Sequence, residues 1–147
     1  MRVDNVREFL REHSLSIVVL GIFSLWLILY CFSDPSKHLG AFFGNAIADW
    51  SGSVVIILAT KYFRERGSKE SRPCKDERRG IRRLLYEHSL TIFLVLTGIG
   101  WAALFAHSQT NSKWGQVAGN VLSEWVQMIG LVYLTKGLIE RGSPESK

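Results

Sequence analysis

Two stretches of this chain, Ser14 to Ser33 and Ser89 to Ser112, contain no Asp, Glu, Lys or Arg, and that absence narrows the possible folds more than any other feature. A run of about 20 apolar residues makes a helix that matches the roughly 30 Å hydrocarbon layer of a bilayer. A soluble domain of 147 residues has no interior wide enough to hide several such helices. The charged residues gather at the start, the middle and the end of the chain, not evenly as they would around a soluble core. The expected fold class is therefore an all-α membrane protein with four transmembrane helices, at approximately 14–32, 43–62, 89–107 and 118–137. The first run reads as a permanent span. Ser14–Phe32 exceeds the usual signal core of about 7–15 residues, and no A-x-A-like cleavage site follows it. The bulky Tyr30 before Cys31 argues against lipoprotein cleavage there.

Shifting the sequence by 75 positions aligns its two halves without a gap. Glu12-His13-Ser14-Leu15 matches Glu87-His88-Ser89-Leu90, Trp26 matches Trp101, and Gly44-Asn45 matches Gly119-Asn120. Asp49-Trp50 is echoed by Glu124-Trp125, Thr60-Lys61 by Thr135-Lys136, and Glu65-Arg66-Gly67-Ser68 by Glu140-Arg141-Gly142-Ser143. One register kept from residue 7 to residue 71 is a duplication. The expected organisation is a first hairpin repeat at 1–71, a basic linker at 72–80 and a second hairpin repeat at 81–147. Each copy begins with a short amphipathic lead, Val6, Phe9 and Leu10 in one and Ile81, Leu84 and Leu85 in the other, suited to lie on the membrane surface. Asp34-Pro35-Ser36 punctuates the first turn and Ser108-Gln109-Thr110-Asn111-Ser112 the second.

Topology follows from the positive charges. Three Lys/Arg precede residue 14, ten lie between Lys61 and His88, and three follow from Lys136 onward, whereas the two turns hold only Lys37 and Lys113. This places both termini and the middle segment in the cytoplasm. The two hairpins then share one orientation and are related by a pseudo-two-fold axis along the membrane normal, the parallel kind of repeat. Topology accounts for the run Arg78-Arg79…Arg82-Arg83 and the net charge of +5, so no nucleic-acid partner is inferred. The expected partners are the lipid bilayer and further copies of the chain. Cys31 and Cys74 fall on opposite sides of the membrane and cannot form an internal disulfide.

The residues that carry functional information are those a bilayer should resist. Asn45 and Asp49, and likewise Asn120 and Glu124, stand four apart on one helical face. Counting back from Lys61 and Lys136, each acid lies about 18 Å from the cytoplasmic end of its helix, roughly 10 Å below the outer hydrocarbon surface. An intramembrane acid is a functional-site hypothesis by default, and Gln127 shares the face of Glu124. A plainer alternative has Asn45 and Asn120 capping their helices, the acids at the positive end of the helix dipole, and Trp50 and Trp125 in an outer aromatic belt. Gly44, Ala48 and Gly52, with Gly119 and Ser123, form small-residue stripes suited to close helix packing. His13 and His88 sit where each hairpin enters the membrane, interfacial positions with Ser14 and Ser89 as caps. No metal site, cofactor, nucleophile–base constellation or phosphate loop is evident, so no enzyme is expected.

The stretch Gly119-Asn120-Val121-Leu122-Ser123-Glu124-Trp125-Val126-Gln127 and the closing Gly142-Ser143-Pro144-Glu145-Ser146-Lys147 resemble an uncharacterised family of small bacterial membrane proteins. Its members carry an Asn…Ser-Glu-aromatic-x-Gln helix and a Gly-Ser-Pro-Glu-Ser-Lys tail. The first copy departs from this pattern, with Asp49 for Glu, Gly52 for Gln and Lys69 for Pro. The resemblance implies a bacterial inner-membrane location and no particular activity. The residues themselves suggest a small oligomeric channel or carrier for an ion, proton or small solute. Its path would be lined by Asp49 and Glu124, with Asn45, Asn120 and Gln127 as neutral ligands. The alternative is a non-transporting interaction or envelope-stress protein that acts through the basic segment 63–83.

Overall fold

The structure, a computed structural model, describes residues 2–68, 70–71, 79–109 and 111–138. Its helices are α1 (Arg2–Glu12), α2 (Ser14–Phe32), α3 (His38–Tyr62), α4 (Ile81–Glu87), α5 (Ser89–His107) and α6 (Lys113–Leu134). Four of them, α2, α3, α5 and α6, are long and apolar enough to cross a membrane. Among the described residues every regular element is a helix, and the four long apolar ones are those of a multi-pass membrane protein. Helices α1 and α4 leave the apolar side chains of Val6, Phe9 and Leu10, and of Ile81, Leu84 and Leu85, exposed at their surfaces.

Helix α2 packs on α3, α5 packs on α6, and α3 packs on α6, so α3 and α6 form the central pair. Small residues make these approaches close, as expected in lipid, where packing and not water expulsion holds helices together. Gly44 faces the ring of Tyr30, and an added Cβ would stand 3.2 Å from it. Gly119 faces Phe105 at 2.9 Å on the same measure, and Gly52 faces Glu124 and Met128 across the central seam. The core between the pairs includes Ile47, Ala48, Leu94, Val121, Trp125 and Val132.

The ends of α2 and α5 coincide with the apolar runs, because a charge-free run fixes both limits of a span. Helices α3 and α6 start five residues earlier than the expected spans, at His38 and Lys113. Helical geometry continues through the polar first turn, since Ser112 caps α6 by accepting from the Gly115 N–H at 3.0 Å. In the first turn the Asp34 carboxylate accepts from the Ser36 N–H at 3.0 Å and the Ser36 hydroxyl at 2.7 Å. These bonds hold its pKa below the usual carboxylate value. Gly40 and Gly115 are required here, because a Cβ at either would run into the carbonyl of Asp34 or Gln109. The fourth span, α6, also stops at Leu134 rather than 137, where residues 135–137 turn. Ser14 and Ser89 do not cap their helices. Their hydroxyls donate back to Arg11 and Tyr86 carbonyls, and the cap positions are His13 and His88.

Two sets of contacts tie the ends of the bundle. At one end the Tyr30 hydroxyl donates to the Lys113 carbonyl at 2.5 Å, and Lys113 Nζ donates to the carbonyls of Cys31 and Ser33 at 3.1 and 2.7 Å. At the other end the chain leaving α3 crosses to the α4–α5 junction. There Leu90 N–H donates to Arg64 O at 2.9 Å and Arg66 N–H to Glu87 O at 2.7 Å. Cys31 is free and exposed, while Cys74, much of the expected linker and the tail from residue 139 lie outside the described residues.

Candidate functional site

The intramembrane polar residues meet on one face of the central seam. Asn120 Nδ2 donates to Asn45 Oδ1 at 2.5 Å, a bond between residues 75 positions apart. One turn further along, Glu124 lies against Gly52, with Oε2 3.6 Å from where a Cβ would be, and Asp49 is near enough to act on it electrostatically. Asn45, Asp49 and Ser53 repeat every four residues on α3, and Gln116, Asn120, Ser123 and Gln127 recur at helical spacing on α6. Asn45, Asp49, Ser53, Gln116, Ser123 and Gln127 are exposed; Asn120 and Glu124 are half-buried. The result is a polar strip down one side of the α3–α6 pair.

This placement corrects the capping alternative. Asn45 and Asn120 lie seven residues inside their helices, whose cap positions are Lys37 and Ser112. Their amides are occupied with each other, not with backbone N–H groups. Asp49 and Glu124 are each eleven residues from the start of their helices, about 16 Å along the axis, and so near the midpoint. Trp125 is also displaced from the expected aromatic belt. It is 4% exposed, packed beside Trp101 at 5.7 Å between centroids, with its indole N–H donating to Thr97 Oγ1 at 2.8 Å. Burial of the ring and a satisfied N–H both favour the core over an interface. Trp50 is half-buried.

A second cluster was not foreseen from the sequence. Glu65, in the segment after α3, has a side chain with no exposed surface. Its carboxylate is met by Lys136 Nζ at 2.5 Å, His88 Nδ1 at 2.5 Å and the Thr91 N–H at 3.1 Å. Burial alone would raise its pKa, but the Lys136 ammonium, the bonds from Thr91 and the contact with His88 outweigh it and hold the carboxyl below its usual value. Ser68 and Thr135 share a hydrogen bond of 3.1 Å beside it. Glu87 bridges Arg83 at 2.8 Å and Arg66 at 3.2 Å, which lowers its pKa as well. The Glu65 clip fastens the ends of α3 and α6 to the start of α5. His88 keeps 36% of its side chain exposed at the start of α5 while its Nδ1 contacts this carboxylate, whereas His13 packs on Phe9 at 4.6 Å. Lys61, the sequence counterpart of Lys136, reaches Ser16 Oγ at 2.9 Å. Glu140, the counterpart of Glu65, lies outside the described residues.

The signal that could have revealed the clip is the block Glu65-Arg66-Gly67-Ser68, repeated at 140–143 beyond any span. Among the described residues no group of three or more His, Cys, Asp or Glu side chains is placed to hold a metal ion. No family model, curated protein or solved structure matches the chain.

Proposed function

We propose that the chain works as a small homo-oligomeric channel or carrier for a cation, proton or small polar solute, along a wet path at the α3–α6 seam. The observation that carries this reading is the exposed polar strip at mid-helix depth. A charged side chain at the centre of a bilayer costs about 2.5–3.5 kcal/mol on insertion scales, so Asp49 is not expected to face lipid. Covering the strip with the same strip of a second copy, with water between, removes that cost and builds the path. Asp49 and Glu124 would concentrate cations there, while Asn45, Asn120 and Gln127 would offer neutral oxygens. The proposed arrangement is two hairpins of common orientation about a pseudo-two-fold axis. The Asn45–Asn120 bond between repeat-related residues supports this geometry. Both termini would be cytoplasmic, in a bacterial inner membrane.

Purified protein in liposomes tests the proposal by cation and proton flux. Wild type should conduct, and the double variant Asp49→Asn, Glu124→Gln should lose most of the flux while keeping its oligomeric state. Absence of flux from wild type, or flux unchanged in the double variant, would overturn it. A phenotype that instead depends on the arginines of segment 63–83 would favour a non-transporting protein acting through that segment.

A further inference from the structure

A cavity of about 500 Å³ lies between α2, α3, α5 and α6, on the side of α3 opposite Asn45 and Asp49. Phe23 and Leu27 of α2, Ile47 of α3, Trp101 and Leu104 of α5 and Val121 of α6 wall it. Its size is within the roughly 300–1,000 Å³ of small-molecule sites. Polar groups cluster at one end, in the turn Ser108, Gln109 and Ser112, and the hydroxyls are already used. Ser108 donates to Phe105 O, Ser112 to Gln109 O, and Ser51 in the wall donates to Ala48 O. Water entering the walled part would find too few partners, and apolar cavities of this kind stay dry. Leaving the space empty forfeits dispersion contacts along its whole lining. Hydrocarbon chains are the solvent that surrounds these helices.

The duplication shows that the space is a departure within this chain. Val117 and Ala118 stand where the first copy has Phe42 and Phe43. In the first copy those two rings pack on Trp26, with centroids 5.7 and 5.9 Å away, and on each other at 5.9 Å. Trp101, the counterpart of Trp26, has the cavity beside it instead. Two aromatic side chains have been exchanged for two small ones at one site only. We infer that this cavity binds one acyl chain of a membrane lipid, its tail along Trp101 and Leu27 and its head group at the Ser108–Ser112 turn. The walls named above are apolar apart from the Trp101 indole, which suits a hydrocarbon chain better than a polar ring system, and the polar end offers the exposed Gln109 amide and Trp114 to a head group.

The test uses tryptophan quenching of the full-length protein in detergent, titrated with phospholipid brominated in mid-chain. Wild type should quench saturably at one lipid per chain, and the saturable part should shrink in Trp101→Phe, the remainder coming from Trp125, 5.7 Å from Trp101, and from Trp114. Installing the first copy's residues, Val117→Phe with Ala118→Phe, should weaken the apparent affinity about tenfold or more, equivalent to about 1.4 kcal/mol. Leu104→Phe, at a more exposed part of the wall, serves as a second filled variant should the double change misfold. Saturable binding lost in either folded variant supports the site. Quenching that never saturates, that persists unchanged in both variants, or that saturates with a brominated sterol but not with phospholipid would overturn it.

Discussion

Replacing Glu65 by Gln keeps the size of the side chain and removes its charge. The carboxylate is the common acceptor for Lys136, His88 and Thr91, and its side chain has no exposed surface. Removing one partner of a buried ion pair costs about 3–5 kcal/mol, because the other charge is left uncompensated. Lys136 keeps 23% of its side-chain exposure and can turn toward water, which places the expected loss near the lower end, about 3 kcal/mol. For a chain of this size that corresponds to a fall in Tm of roughly 6–12 °C. Thermal unfolding in detergent, followed by circular dichroism, measures it. Glu87→Gln is the control, and it should cost less because Arg66 and Arg83 remain 62% and 47% exposed and screening by solvent weakens such pairs. The same carboxylate gives a pH dependence. Its folded pKa lies below the unfolded value of about 4.3. The clip's stabilisation should therefore be complete above that unfolded value and be lost as pH falls through the folded one. Glu65→Gln should remove that acid-limb sensitivity. A variant with the Tm and acid profile of wild type would refute the reasoning that the clip holds the three helix ends together.

Two further outcomes follow from the packing. Thr97→Val deprives the buried Trp125 indole of its acceptor and should lower stability by about 1–3 kcal/mol, seen as a lower Tm with unchanged helical content. Gly40→Ala sets a Cβ against the Asp34 carbonyl and should disrupt the first turn, whereas Gly21→Ala, with nothing within 4 Å of the added carbon, should be neutral or slightly stabilising. Parallel melts of the two alanine variants distinguish a steric requirement from a general intolerance of substitution.

The sequence revealed the parts of this fold that depend on one helix at a time. A charge-free run defines a span by itself, so α2 and α5 begin at Ser14 and Ser89 and end at Phe32 and His107 as the composition indicates. Helices α3 and α6 carry polar residues, and there hydropathy misplaces the starts by five residues, because Ser112 and the preceding turns, not apolarity, set where the helix begins. The shared face of Asn45 and Asp49, and of Asn120 and Glu124, was visible in four-residue spacing. The bond that joins Asn45 to Asn120 was not, since it depends on α3 meeting α6. Trp125 shows the same limit. Its spacing fits a belt or a core equally well, and only the partner Thr97 on another helix decides. The Glu65 clip draws on residues 65, 88, 91 and 136, too widely spaced in sequence for any local pattern to connect them.

The claim that water reaches the α3–α6 strip inside the membrane is tested most directly by thiol labelling. In a background without Cys31 and Cys74, single cysteines at Ser53 and Gln127 on the strip are compared with cysteines at Leu96 and Ile99, which are 65% and 62% exposed on α5. A water-soluble maleimide reacts with the thiolate, which requires water to form. Ser53→Cys and Gln127→Cys should label in intact vesicles while Leu96→Cys and Ile99→Cys stay unmodified. Strip cysteines as inert as the α5 pair would show that the polar face is dry, and the wet path with it would be gone.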